Sequence, residues 1–313
     1  MSTECCIFEG LFRCILQLIL HFCIKSAIFK TLLMENFTLE LLFQIIGIGS
    51  ASGLIHKDNS LLIISDNSGF LYEYKMDSSQ LKRHQLLETT AENIPKKDKS
   101  DFEAITRFGD EVYIFGSGST EKRNKMMQFN TKNETTTTTD LSDLYSVMQS
   151  FGEIKPKDFN IEGAIYNGKS WYLFNRGNGK SKKNILFTIE GKNLTNEFQL
   201  LSNPFKLPKI NGVHTSFTDA VLVDTKIYFL AAAENTESTY DDGEVFGSII
   251  GRIDIETMKI DFTKVISNNH KFEGLTVFKN SNEKIEFLLC EDKDSDVLET
   301  QIYKLTLDKN LKN

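Results

Sequence analysis

From residue 34 onward this chain has one cysteine, Cys290, and over its whole length of 313 residues only four prolines. A lone thiol cannot build a disulfide framework, so the body of the protein needs no oxidising compartment. Cys290 ends the strand-like run Phe287-Leu288-Leu289-Cys290 and reads as a buried core thiol. No run of about 20 purely apolar residues occurs, so a membrane is not expected as a partner apart from residues 1–33. Basic charge is not in excess either. The 36 Lys and Arg against 43 Asp and Glu leave a net charge of -7, which argues against a general nucleic-acid binder, whose surface is usually basic.

Several catalytic and binding motifs are also missing. Gly179-Lys180-Ser181 is not a phosphate-binding loop, because Phe174 stands where the first glycine belongs and a strand follows instead of a helix. Gly49-Ser50-Ala51-Ser52-Gly53 has Ala at the nucleophile position of a Gly-x-Ser-x-Gly elbow. The five histidines, His21, His56, His84, His214 and His270, show no zinc-ligand spacing, although His214 and His270 each precede a copy of the repeat described below. Asp292-x-Asp294-x-Asp296 begins like an EF-hand loop, but Val297 replaces the glycine and Tyr303 the final glutamate, so it reads as an acidic turn.

What the chain does have is 24 phenylalanines and a short phrase written five times. A small or acidic residue leads, Gly or Ala follows, then two more residues, mostly apolar. The copies are Ser52-Gly53-Leu54-Ile55, Glu103-Ala104-Ile105-Thr106, Glu162-Gly163-Ala164-Ile165, Asp219-Ala220-Val221-Leu222 and Glu273-Gly274-Leu275-Thr276, with leads 51, 59, 57 and 54 residues apart. A period of this size marks one supersecondary unit repeated around an axis. Each phrase opens an apolar strand, and a second strand follows a hairpin turn such as Phe108-Gly109-Asp110 or Asn167-Gly168. A third strand follows each pair; in Phe70-Leu71-Tyr72-Glu73-Tyr74-Lys75 its alternation is that of a half-exposed strand.

A fourth, more polar strand can be drawn in four repeats, at 81–87, 134–139, 197–201 and 261–266, but the fifth repeat ends at Leu307 without room for one. The segment Thr38–Ile45 is strand-like and precedes the first repeat. Pairing it with the last repeat closes the ring and hides two sheet edges. The chain is therefore expected to be all-β, a five-bladed β-propeller of four-stranded antiparallel blades. A sixth blade would have to come from the insert 141–151, which reads more simply as a short helix.

The first 33 residues differ from this body and hold Cys5, Cys6, Cys14 and Cys23. Their apolar stretch 14–24 has the length of a signal-peptide core, but Glu4 and Glu9 precede it, and no small-x-small cleavage site follows. Residues 1–33 are read as an extension outside the propeller domain 34–313. Two readings of it stay open. Translation starts at Met34 and the protein is cytoplasmic, or residues 1–33 export or anchor it.

In a propeller the first strand of each blade lines the central channel, so the leads Ser52, Glu103, Glu162, Asp219 and Glu273 are expected to ring one mouth. Residues after the second strands would crown it, among them Asp66, Asn67, Arg176, Glu234, Glu291 and Asp292. Carboxylates crowded into one ring either take up protons or gather a cation. With only oxygen ligands on offer, Ca²⁺ is the natural occupant. The basic loop Arg176-Gly177-Asn178-Gly179-Lys180-Ser181-Lys182-Lys183 would lie beside the mouth, where Arg176 and Lys180 could meet a phosphate.

The blade starts Asp101-Phe102-Glu103-Ala104, Asn160-Ile161-Glu162-Gly163-Ala164 and Phe272-Glu273-Gly274-Leu275 resemble those of a bacterial propeller family of unknown function, itself similar to the phytase-like, esterase-like propellers. The resemblance spans about residues 37–308. A more distant likeness, in layout more than wording, is to the calcium-activated nucleotidases (apyrases). It implies a channel calcium held at positions matching Ser52, Glu103, Glu162 and Glu273, with Asp219 a weaker match. Two functions follow as expectations. One is calcium-dependent hydrolysis of phosphate esters or anhydrides, with Glu103 or Glu162 as ligand or base and Arg176 stabilising charge. The other is a non-catalytic propeller that binds a small molecule, phosphorylated or not, or a protein, with calcium purely structural.

Overall fold

Short β-branched and aromatic runs separated by tight turns leave this chain little choice but antiparallel strands. Hairpin turns such as Gly109 (φ 64°) and Gly168 (φ 89°) take the left-handed backbone that glycine adopts without strain. The computed structural model describes residues 37–88, 91–196, 199–239, 243–293 and 297–311, and Leu39–Asn313 forms one compact unit. The extension 1–33 lies outside the described residues, as do Asp294 and Asp296.

After β1 (Phe37–Ile46), the first blade contains β2 (Ala51–Lys57), β3 (Ser60–Ser65), β4 (Phe70–Lys75) and β5 (Gln80–Gln85). The second contains β6 (Phe102–Phe108), β7 (Glu111–Gly116), β8 (Lys125–Asn130) and β9 (Thr136–Asp140). Helix α1 (Ser142–Phe151) follows, so the 141–151 insert is a helix and not a blade. The third blade contains β10 (Ile161–Tyr166), β11 (Ser170–Asn175), β12 (Asn184–Glu190) and β13 (Gln199–Phe205). The short β14 (Lys209–Ile210) adds to the inner edge of the fourth blade, which is otherwise β15 (Val213–Val223), β16 (Lys226–Asn235), β17 (Glu244–Asp254) and β18 (Lys259–Ser267).

The fifth blade is β19 (Phe272–Asn280), β20 (Lys284–Glu291) and β21 (Glu299–Asp308), and its fourth, outermost strand is β1, paired beside β21. The first-strand contacts run β2–β6–β10–β15–β19 and back to β2. The protein is a five-bladed β-propeller whose ring is closed by the strand that precedes the first repeat. Closure in this way pairs the free edge of β21 and joins β1, before the first blade, to the last blade.

The cores lie between blades. Trp171 stacks on Tyr166 and meets Tyr113 and Phe115 edge-on between the second and third blades, while Phe217 meets Phe174 and Phe229 edge-on between the third and fourth. The small residue of the repeat phrase has a steric reason. A Cβ on Gly274 would lie 3.1 Å from the Gly53 Cα, and one on Gly53 would lie 2.9 Å from Ile105 Cγ2. At these two positions the inner strands leave no room for a side chain.

Candidate functional site at the channel mouth

Every innermost strand breaks register at the same point. The pairing skips one residue between Ala51 and Gly53, Phe102 and Ala104, Ile161 and Gly163, Phe217 and Asp219, and Phe272 and Gly274. The bulged residues are therefore Ser52, Glu103, Glu162, Thr218 and Glu273, and a bulge re-aims its side chain away from the regular pleat. The fourth-blade member is Thr218. Asp219, expected in the ring, sits one place later, at the position that is Gly or Ala in the other blades. It is buried, and its carboxylate accepts the amides of Ala220 (2.7 Å) and Leu275 (2.7 Å). Burial holds its carboxyl well above the usual range.

Two of the five bulged positions act as fasteners. Ser52 Oγ donates to the Phe102 carbonyl (2.5 Å), and Thr218 Oγ1 donates to the Phe272 carbonyl (2.7 Å), each reaching to the blade whose innermost strand lies beside its own. The other three, Glu103, Glu162 and Glu273, line a cavity of about 290 Å³ at the mouth. Asp66, Asn67, Arg176, Glu234 and Asp292 line it too, so the expected crown assembles. Antiparallel pairing explains this, because Ala51 faces Ser65, Ile161 faces Asn175 and Phe272 faces Glu291, so each second strand ends where the first begins.

Glu291, Lys180 and the two histidines lie elsewhere. Glu291 is held by the Tyr303 hydroxyl (3.4 Å) outside the cavity lining. Lys180 lines a neighbouring cavity with Asp158 and Glu237. His214 is exposed on β15, and His270 is engaged by Ser267 and Tyr303.

The mouth does not present bare carboxylates. Arg176, 4 % exposed, is their hub. Its Nη1 lies 3.1 Å from Glu162 and 3.4 Å from Glu273, and its Nη2 lies 2.6 Å from Glu234. Lys271 bridges Glu273 (3.2 Å) and Asp292 (3.1 Å). Lys99 contacts Asp66 and Asp101, the latter at 2.8 Å, and Arg123 adds a second cation on Asp101 at 2.6 Å. Lys99, Asp101, Arg123, Asn160 and Lys271 also line the cavity, although none is a repeat lead or a crown residue expected from the sequence. A signal for most of them was present. The residue two before each bulge is polar in every repeat (Ser50, Asp101, Asn160, Ser216, Lys271), with a fully buried apolar residue between. That alternation aims the polar residue at the mouth.

Burial sets the protonation pattern. It pushes Glu103 well above the usual carboxylate range, and Glu162 and Asp101 nearby add to the effect. Glu162 and Glu273 are also raised by burial, against the pull of Arg176 and Lys271. Burial would raise Asp101 as well, but Lys99 and Arg123 outweigh it and hold this carboxyl below its ordinary value. Asp66 shares Lys99 with Asp101, and burial leaves it pushed up to about 6.

Among the described residues, the buried polar side-chain atoms of this cavity that lack a hydrogen-bond partner are Asp66 Oδ1, Asn160 Oδ1, Glu162 Oε2 and Asn178 Oδ1. All four are acceptors. Carboxylate oxygens of Asp66, Asp101 and Glu103 also lie within 4.8 Å of one another, and among the described residues no side-chain hydrogen bond reaches the Glu103 carboxylate. Ca²⁺ takes oxygens at about 2.3–2.6 Å, so one ion fits between oxygens that far apart. No described helix is long and apolar enough to cross a membrane.

The family described as "Family of unknown function (DUF6929)" matches residues 47–307. No curated protein matches. Among solved structures, the major allergen Mala s 1 of Malassezia sympodialis is 11 % identical with a TM-score of 0.54, covering 85 % of this chain and 96 % of that one. Glutaminyl cyclase of Myxococcus xanthus is 12 % identical with a TM-score of 0.50, covering 87 % and 97 %. At such identities the likeness is one of fold alone.

Proposed function

We propose, for a chain that belongs to this family of unknown function, that the propeller mouth binds a calcium ion together with a small polar ligand that donates hydrogen bonds. One observation carries the reading. The partnerless buried atoms of the cavity are all acceptors, and an acceptor removed from water without a donor costs about 1–3 kcal/mol. A cation or a donor-bearing ligand removes that cost; an acceptor-rich ligand does not.

Asp66, Asp101 and Glu103 would hold the calcium. This shifts the expected ligand set toward the first and second blades, away from Ser52 and Asp219, which bond to neighbouring backbone and do not line the cavity. Bound there, calcium would supply charge neutralisation and polarise an oxygen ligand. Asn160, Glu162 and Asn178 would orient the ligand on the third-blade side, while Arg176 keeps Glu162, Glu234 and Glu273 in place.

Hydrolysis of a phosphate ester or anhydride, as in phytase-like propellers and nucleotidases, is the catalytic version of this reading. It calls for a cation facing the phosphoryl group. Arg176 already serves three carboxylates, and Lys180 lies in another cavity, so the chain's own groups favour binding over phosphoryl transfer.

The test is the melting temperature with calcium and with chelator, followed by calorimetric titration of calcium. A calcium-dependent rise is expected, weakened about tenfold or more in affinity by Glu103→Gln. Lys99→Gln is expected to tighten it, because Lys99 competes for the same oxygens. The absence of any calcium response would reject the metal site. Turnover of a nucleoside triphosphate or a chromogenic phosphate ester would restore the hydrolase reading.

A further inference from the structure

At the opposite end of the innermost strands lies a second charged cavity, of about 390 Å³, between the first and second blades. Arg107 stands four residues along β6 from Glu103, on the order of 13 Å at strand rise. The cavity holds acids and bases in comparable number, so its composition alone points to no ligand. Its pairing does.

Three of its acids have partners inside the protein. Glu73 Oε2 lies 3.0 Å from His84 Nε2, and Glu73 also accepts from Ser60. Glu134 pairs with Lys82 at 2.5 Å, and Asp110 with Lys132 at 2.8 Å. Among the described residues, Arg107, Lys57 and Asp58 form no ion pair. Arg107 is half-buried, and its Nε is a buried donor without a partner. A guanidinium offers five donors in a planar fork that matches an oxyanion, and it cannot escape its charge by deprotonation. The unpaired balance is two cations against one carboxylate, with an orphan donor on one of the cations. This is the reverse of the mouth, where the orphans are acceptors.

We infer that this inter-blade cleft is a second ligand site, independent of the mouth, which takes a small oxyanion, a phosphate or a carboxylate, on the guanidinium of Arg107 with Lys57 as its second cation. Burial lowers the Arg107 guanidinium, and the charges of Asp110 and Asp58 nearby offset this only in part. Lys57 is exposed at the rim and contributes mainly through long-range attraction. Asp58 opposes the anion, and it sits in a left-handed turn position (φ 54°) that Asn also tolerates.

The experiment is calorimetric titration of the full chain with inorganic phosphate and, separately, with succinate. Saturable binding of at least one is expected. Saturation by phosphate alone identifies a tetrahedral oxyanion site, by succinate alone a carboxylate site, and by both a general one. Arg107→Gln is expected to weaken binding at least about tenfold while leaving the calcium response of the mouth unchanged. Asp58→Asn, at an exposed turn that should fold normally, is expected to tighten it several-fold. The inference falls if neither anion saturates, if Arg107→Gln binds as the parent does, or if Asp58→Asn leaves affinity unchanged.

Discussion

The channel mouth and the cleft between the first two blades are built from the same kinds of residue, yet they are opposite in character. Each mixes Asp and Glu with Lys and Arg. At the mouth the cations are committed: Arg176 to three carboxylates, Lys271 and Lys99 to two each. The oxygens left over define what can bind. In the cleft the acids are mostly committed, to His84, Lys82 and Lys132, and the donor left over is on Arg107. Composition tells how much charge a cavity holds, whereas pairing tells which sign remains available to a ligand.

Substituting the two arginines tests this contrast most severely. Arg176→Gln leaves three buried carboxylates without their shared counter-ion, and an unfolding free energy about 3–5 kcal/mol lower is expected in urea titration. Arg107→Gln removes a cation that has no partner to strand, and a change within about 1 kcal/mol is expected. Equal losses would show that Arg107 is as firmly built in as Arg176 and would erase the distinction.

The next largest effect concerns pH. Folding raises Asp66 from 3.8 to about 6, so between those values the folded state binds more protons than the unfolded one. Calcium-free protein should therefore lose stability as pH rises through that window, by on the order of 3 kcal/mol for a shift of this size. Asp66→Asn should flatten the profile. Added calcium should oppose the loss, because it favours the ionised carboxylates. A stability that instead rose with pH from 4 to 6, unchanged in Asp66→Asn, would mean that the mouth does not resist ionisation.

The smallest effect separates fasteners from ligands within the mouth itself. Ser52→Ala and Thr218→Ala should each cost about 1 kcal/mol through one lost hydrogen bond, with calcium affinity unchanged. A loss of calcium affinity in Ser52→Ala would return that hydroxyl to the metal site.

Much of the fold is legible in the chain. The phrase is legible because four of the five blades place Gly or Ala after the bulge, where inner strands meet, and β1 is legible because the fifth repeat lacks a strand of its own. The site is legible only in part. Glu103, Glu162, Glu273, Asp66, Asn67, Arg176, Glu234 and Asp292 reach the mouth, for their positions follow from the repeat. Asp219 was misplaced because its phrase matches the other four by wording, although the bulge falls one residue earlier, at Thr218. The polar position two before each bulge was present in the sequence but carries no fixed residue type, so a search for acids passes over Lys271 and Asn160.

The amino-acid sequence by itself determined the architecture: five blades, their strand order and the closing strand. Those depend on local alternation and on sterics that recur within each repeat. Only the tertiary structure decided the electrostatics. Arg176 meets Glu234 and Glu273 from 58 and 97 residues away, and Lys99 meets Asp66 from 33. Whether a buried charge is satisfied depends on which opposite charge comes within about 4 Å of it, and a one-residue bulge is enough to change which side chain that is.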